Sequence, residues 1–439
     1  MKEAFSLIYI IWFLRLFKPE WIIAYYVPGT GVIRGLPTLF LYLLLLYVVF
    51  VRGQKLKIDM GVFVFFLSIG VSMVFALNTG RARNGFFGML DTLIFFALNA
   101  VLIKKDEEIE RIFNFYMAAM AFYFFAGIIH MREGVGNGAV VPFHVALSDE
   151  DAFGPFMGLG AAMGLLLSAK DGKIRYSYLA VALFCSLGVI ASYARGAFLC
   201  LCATSVFIWY RSKRKMLMAG TIVSLAVFFV IGASLFFDLS EYWEEIVSVR
   251  HSITDESKDG RHFLNRKAVE IFSDSIGNSL IGVGSFNYGI ALLTVTSEQE
   301  AEEKAGRQLG QLYGRDTHNI YLQILAEQGS LGVITFAIML GLFWRKNNFV
   351  QRKYKLSLSQ SRRHLESKEK LLSRDRKYNY YALALQTAMV TFLLNGLFYN
   401  ILYYHWVWDL LILNYLVYEA SRKTLPSESP VPVRERVYA

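Results

Sequence analysis

Three observations predict an all-α membrane protein of about twelve transmembrane helices, with a large, partly helical outer loop between the ninth and tenth. The first is composition: of 439 residues, 55% are hydrophobic and only 18% charged, with a mean hydropathy of +0.41. The second is that apolar runs long enough to cross ~30 Å of hydrocarbon recur along the whole chain. The third is the lack of the period-2 alternation that barrel strands need. Lipid leaves only closed barrels and helices as spanning structures, so the spans are helical. A soluble chain of this length would be expected to form two or three domains.

The spans read at 4–27, 36–52, 58–77, 85–103, 109–129, 152–168, 176–193, 196–210, 216–237, 318–344, 379–398 and 401–419. The first is interrupted by Arg15, Lys18, Pro19 and Glu20, so it is a kinked helix or two half-helices. The chain therefore divides into nine spans within 1–237, an outer loop at 238–317, a tenth span at 318–344, a basic segment at 345–377, two spans within 378–420 and a disordered tail at 421–439. The N-terminal apolar run lacks a small-residue cleavage site and is expected to stay as the first span.

Positive charge orients the chain. One set of alternate loops holds Arg52, Lys55 and Lys57, then Lys104, Lys105 and Arg111, then Lys170, Lys173 and Arg175. The same side carries Arg211, Lys213, Arg214 and Lys215, and the 345–377 segment with its twelve Lys or Arg. The opposite set holds Arg34, then Arg81 and Arg83, then Arg132, with none in the turn near 400. Both termini are expected on the basic, cytoplasmic side. The formal +10 charge is then an orientation signal and not a nucleic-acid footprint. The 345–377 segment reads as an anchor against anionic headgroups, with partner docking as the alternative. Cys185, Cys200 and Cys202 fall within spans and read as small buried hydrophobes.

The outer loop carries fourteen acidic and eight basic residues. A loop of that size is usually functional or holds its own helices. Within it Arg261–Ser273 has helical spacing, Leu280–Phe286 reads as a Gly-rich turn, and Glu298–Lys304 reads as a solvated helix face.

Positive-inside sorting depletes the outer face of arginine, so arginines kept there ask for an explanation. Arg81 and Arg83 stand in the short loop after the third span, and Arg195 in the tight turn Ser192–Gly196 between the seventh and eighth. Arg261, Arg266, Arg315 and His318 come from the large loop. A guanidinium presents a planar fork of donors suited to phosphate oxygens; the competing role is snorkelling to lipid headgroups. His318 sits at the mouth of the tenth span. It suits general-base work near neutral pH, although Thr317 and Asn319 could make this junction merely a helix cap. Glu327, nine residues on and ~13 Å deeper by helical rise, would orient or pair without touching the same atom. The seven histidines do not pair at metal-ligand spacing, and no Walker loop or HExxH is present, so neither metal nor cofactor is expected.

Three motifs recur in order on one side of the membrane: Ser-Tyr-Ala-Arg195-Gly-Ala, Gly260-Arg261 opening a helix that ends in Leu280-Ile-Gly-Val-Gly284, and His318-Asn319 leading to Glu327-Gln-Gly329. This resembles the O-antigen ligase and polymerase family of bacterial envelope enzymes. Asn265 stands near a position where the family usually carries tryptophan, which leaves Arg261 and Arg266 both as candidates for the key loop arginine. The resemblance implies a GT-C-like architecture in the bacterial cytoplasmic membrane with a periplasmic active site. It implies a metal-independent glycosyltransferase that uses a polyprenyl-diphosphate-linked glycan as donor. The acceptor would be a lipid A-core sugar for a ligase, or another lipid-linked repeat for a polymerase. Arg195 and Arg261 or Arg266 would clamp the diphosphate, helped by Arg315, Arg81 and Arg83. His318 would serve the acceptor hydroxyl, with Asn319 and Glu327 in support. Besides donor and acceptor, the partners implied are membrane lipids, and no nucleic acid. The competing class, a lipid-linked glycan transporter, would be expected to show repeated halves and polar groups at mid-membrane, and no repeat is visible.

Overall fold

In a computed structural model of the chain, the structure describes residues 2–131, 139–144, 147–168, 174–211, 260–305, 308–361 and 369–423, with isolated positions between 215 and 227. Every regular element among them is helical. The first span is divided into α1 (Lys2–Phe17) and α2 (Pro19–Tyr26), which meet at Lys18 with a left-handed φ of 49°. Pro19 has no N–H and disfavours helical backbone at the residue before it, so α1 cannot run through. Then come α3 (Leu36–Leu46), α4 (Met60–Val74), α5 (Thr79–Leu102), α6 (Asp106–Ile129), α7 (Glu150–Leu167), α8 (Tyr176–Ala191) and α9 (Arg195–Arg211). The outer loop contributes α10 (Gly260–Ser273), α11 (Ile276–Ile281), α12 (Tyr288–Thr294) and α13 (Glu298–Ala305). The chain returns through α14 (Ile320–Ser361), α15 (Glu369–Asn395) and α16 (His405–Arg422).

Among the described residues, four stretches are long and apolar enough by themselves to cross a membrane: Gly31–Val51, Thr79–Leu102, Asp106–Ile129 and Ile320–Ser359. Shorter apolar helices at Leu7–Phe17, Met60–Val74, Asp151–Leu167 and Tyr176–Ala191 pack beside them. Apart from the isolated positions, the ninth span expected at 216–237 and the first part of the outer loop, 238–259, lie outside the described residues, as does 424–439.

Several boundaries differ from those read in the sequence: α5 begins at Thr79, so Arg81 and Arg83 stand in its first turns and not in a loop, and α15 begins at Glu369. The last span begins only at His405, because 396–404 forms a non-helical turn. The helix that carries the tenth span continues past 344. α14 runs on to Ser361, 42 residues in all, or ~63 Å of helix, about twice the hydrocarbon thickness. The basic stretch 345–377 is thus largely the extension of α14 and α15 beyond their apolar portions. Four of its cations find carboxylates within the protein: Lys346 meets Asp59, Arg374 meets Asp106, Lys353 lies 3.5 Å from Asp375, and Lys377 lies 2.6 Å from Glu110.

α14 is broken at Gly329, whose φ of 61° and ψ of −159° are not helical. A break of this kind strands carbonyls one turn earlier, and buried carbonyls must be satisfied. The outer loop supplies the donors. Val283 N–H donates to the Ala326 carbonyl at 3.0 Å and Gly284 N–H to that of Glu327 at 3.0 Å. Ser72 Oγ of α4 adds a bond to the Glu327 carbonyl at 2.7 Å, and Ser330 Oγ donates to the Ser279 carbonyl at 2.7 Å. The approach is too close for side chains. A Cβ on Gly282 would stand 2.2 Å from the Glu327 carbonyl carbon, and one on Gly329 2.6 Å from that of Leu280. The two glycine motifs are therefore two halves of one joint.

That joint predicts the outcome of glycine substitution. Gly282→Ala combines backbone overlap with a φ of 73° and should destabilise the protein by about 2–3 kcal/mol. Gly310→Ala, where an added Cβ meets nothing within 4 Å, should be silent. Thermal unfolding in detergent and limited proteolysis of the outer loop check the pair.

Candidate functional site

The starts of α7, α9, α10 and α14 meet the turn between α15 and α16 at one end of the bundle. The entry to α14 is clamped there. Ile320 N–H donates to the Gly396 carbonyl at 2.8 Å, Asn319 Nδ2 to that of Leu397 at 3.3 Å, and Tyr321 Oη to that of Leu393 at 2.7 Å. Asn319 Oδ1 caps the helix by accepting from Tyr321 N and Leu322 N at 3.0 and 3.1 Å. With the cap assigned to Asn319, His318 is released from that duty. It is held with a φ of 53°, a left-handed backbone that is costly for a non-glycine residue and typical of functional turns.

The imidazole faces a carboxylate that the sequence reading did not single out. His318 Nδ1 lies 3.8 Å from Asp151 Oδ2 in the first turn of α7, and Arg261 Nη2 of α10 donates to the same oxygen at 3.2 Å. The three side chains are reachable but not bare, with exposures of 28%, 24% and 43% for His318, Asp151 and Arg261. The signal in the sequence is the acidic run Asp149-Glu150-Asp151 at the mouth of an apolar span, where carboxylates ask for a partner as arginines do. Burial pushes the His318 pKa below the ordinary histidine range, and the Arg261 charge pushes it further, against the pull of Asp316 and Asp149.

Arg195 opens α9 beside this group. Tyr399 links the two: its hydroxyl sits 2.8 Å from where a Cβ on Gly196 would stand, and its ring lies 5.8 Å from the Arg261 guanidinium. The turn before α9 carries a second left-handed residue, Tyr193, with a φ of 55°. Arg315 lies near enough to lower the His318 pKa electrostatically. Arg81 reaches the same segment, with its guanidinium 5.3 Å from the Tyr313 ring.

Two expected contributors stand elsewhere. Arg266 pairs with Glu300 of α13 at 3.0 Å, because it projects from α10 toward the loop helices while Arg261, more than a turn earlier, projects toward α7. Arg83 is exposed, with no partner among the described residues. Glu327 is buried below the site, where it accepts from Gln323 Nε2 at 2.7 Å, Tyr403 Oη at 2.6 Å and Tyr288 N at 3.2 Å. It ties the outer loop and the turn before α16 to α14, a structural duty. Among the described residues no three His, Cys, Asp or Glu side chains gather as a metal site.

Residues 180–337, which carry the Arg195, Arg261 and His318 segments, match the family model described as O-antigen ligase. No curated protein matches the chain.

Glu327→Ala should leave three buried donors unpaired and cost roughly 2–4 kcal/mol of stability. A fall in melting temperature without selective loss at the His318 site is the expected result.

Proposed function

We propose that this chain, whose residues 180–337 match the O-antigen ligase family model, transfers a polyprenyl-diphosphate-linked glycan to an acceptor hydroxyl at the outer face of the bacterial inner membrane. The observation that carries this reading is the convergence of Arg261 and His318 on one Asp151 oxygen in a half-open site. A guanidinium and an imidazole kept neutral are the two groups such a transfer needs side by side.

In the reaction the acceptor oxygen bonds to the anomeric carbon as the bond from that carbon to the donor phosphate breaks. The polyprenyl diphosphate departs with the electron pair, and His318 takes the acceptor's proton. Negative charge grows on the leaving diphosphate, so Arg261 and Arg195 bind the transition state more tightly than the ground state. The N-terminus of α9 adds its dipole in the same sense. When a diphosphate takes Arg261, Asp151 is left facing His318 and stabilises the imidazolium that forms. Arg315 and Arg81 extend the positive field along the 313–318 segment, with Arg83 at its edge. The acceptor assigned is a lipid A-core sugar. A polymerase would use the same donor machinery with a lipid-linked repeat as acceptor.

With purified protein and lipid-linked donor, His318→Ala should lower turnover by about 100- to 10,000-fold. Arg195→Ala and Arg261→Ala should each cost ~100-fold or more, whereas Arg266→Ala should retain near-wild-type turnover. Near-wild-type activity in His318→Ala would sink the reading. Analysis of surface glycan in a deletion strain separates the acceptors: unattached chains mean ligase, single repeats mean polymerase.

The depressed His318 pKa fixes the pH profile. The neutral, base-competent imidazole dominates above the folded-state pKa and is lost as pH falls through it. Transfer should therefore persist below the ordinary histidine range near 6.5. Arg315→Gln removes one of the charges holding that pKa down, so the acidic limb of the profile should move toward higher pH.

A further inference from the structure

A second polar chamber lies where the first span is broken. The cavity, of about 440 Å³, is bounded by the α1–α2 junction, α5 and the turn leading into α16. Its wall includes Arg15, Lys18, Trp21, Asp91, Tyr404 and Trp408. None of Arg195, Arg261 and His318 lines it, but Tyr404 stands between the two regions, with Asp149, Asp151 and Asp316 as electrostatic neighbours of its hydroxyl.

The charges here are unequally satisfied. Arg15 Nε donates to Asp409 Oδ1 at 2.8 Å, and its Nη2 to Thr92 Oγ1 at 3.3 Å. Asp91 Oδ2 accepts from Thr38 Oγ1 at 2.8 Å. The Lys18 ammonium makes no direct hydrogen bond or ion pair among the described residues, although Glu20, Asp91 and Asp409 are its electrostatic neighbours. An ammonium inside an apolar bundle is costly without a partner. Here it is also fixed at a helix break with a left-handed φ of 49°. The rest of the wall is largely apolar and aromatic, with Thr38, Thr92, His144 and His405 as further polar groups and Arg34 covering one face of Trp21. Rings of that kind accept the C–H face of a pyranose while side-chain oxygens meet its hydroxyls, and the volume falls within the range of small-molecule pockets.

We propose that this cavity binds a saccharide unit carrying a phosphate or carboxylate, with Lys18 as the anion contact and Trp21 and Trp408 as ring platforms. Its use as the seat of the acceptor glycan rests on the glycosyl-transfer reading above. The binding itself does not.

The test is equilibrium binding of N-acetylglucosamine 1-phosphate to the full-length protein in neutral phosphatidylcholine nanodiscs, by calorimetry. Parallel titrations use N-acetylglucosamine, inorganic phosphate and nanodiscs containing phosphatidylglycerol. Saturable binding of the sugar phosphate is expected in wild type and in His318→Ala. It should weaken by ~10–100-fold in Lys18→Met and stay within about threefold in Lys18→Arg, which keeps the charge. Melting curves of both variants report folding, so loss in Lys18→Met with Lys18→Arg intact is a charge effect. Equal affinity in wild type and Lys18→Met would overturn the site. Inorganic phosphate binding as tightly as the sugar phosphate would overturn its saccharide character, as would occupancy by phosphatidylglycerol that excludes the sugar phosphate. If His318→Ala kept full transfer while Lys18 still governed binding, the catalytic reading would fall and the cavity would stand.

Discussion

The structure depends on a hydrogen-bond obligation created by one glycine. Breaking α14 at Gly329 leaves the Ala326 and Glu327 carbonyls without helical donors in a setting where water cannot replace them. The 283–284 backbone provides the replacements, and Gly282 and Gly329 let the two strands of chain come close enough to do so. Docking the outer loop here fixes where α10 begins, and α10 carries Arg261 to Asp151. The Glu327 side chain reinforces the joint by gathering donors from α12, α14 and the turn before α16. A residue well below the chemistry therefore determines whether the loop's arginine reaches the histidine.

The site itself is a compromise between burial and charge. Arginines and carboxylates at an outer membrane boundary are tolerable when each neutralises the other, and Arg261 with Asp151 does that in the resting protein. The same pairing leaves the imidazole as the group that burial can hold neutral. On the proposed reading, an arriving diphosphate would compete with Asp151 for the guanidinium and return the carboxylate to the histidine, so charge at this half-open site would stay paired.

Much of this was legible in the sequence because hydropathy and charge are written one residue at a time. The helical class, the break in the first span and the loop helices at 260–273 and 298–305 follow from runs, proline and periodicity. Arg261 and His318 were visible as ionisable groups where lipid discourages them, and the match over 180–337 covers both. What could not be read was pairing. Arg261 and Arg266 are equally plausible in a linear string; only the turn of α10 sends one to Asp151 and the other to Glu300. Asp151 is separated from His318 by several helices and the outer loop, so no local spacing announces it. The extension of α14 past 344 was hidden for a related reason: a density of positive charge looks the same whether lipid headgroups or Asp59, Asp106, Glu110 and Asp375 answer it.

The α1–α2 junction completes the logic of unpaired charge. Several ionisable groups carried away from water in this bundle meet an opposite charge or a set of donors, as Asp409 does for Arg15 and the three donors do for Glu327, whereas the buried Glu20 carboxylate, two residues from Lys18, does not among the described residues. Lys18 departs from that pattern too, and it does so on the wall of a cavity. A half-buried cation without a direct partner costs stability that a proline-defined kink alone would not require, since any residue tolerant of left-handed backbone could sit before Pro19. Retaining lysine there makes physical sense if the counter-charge arrives with a ligand.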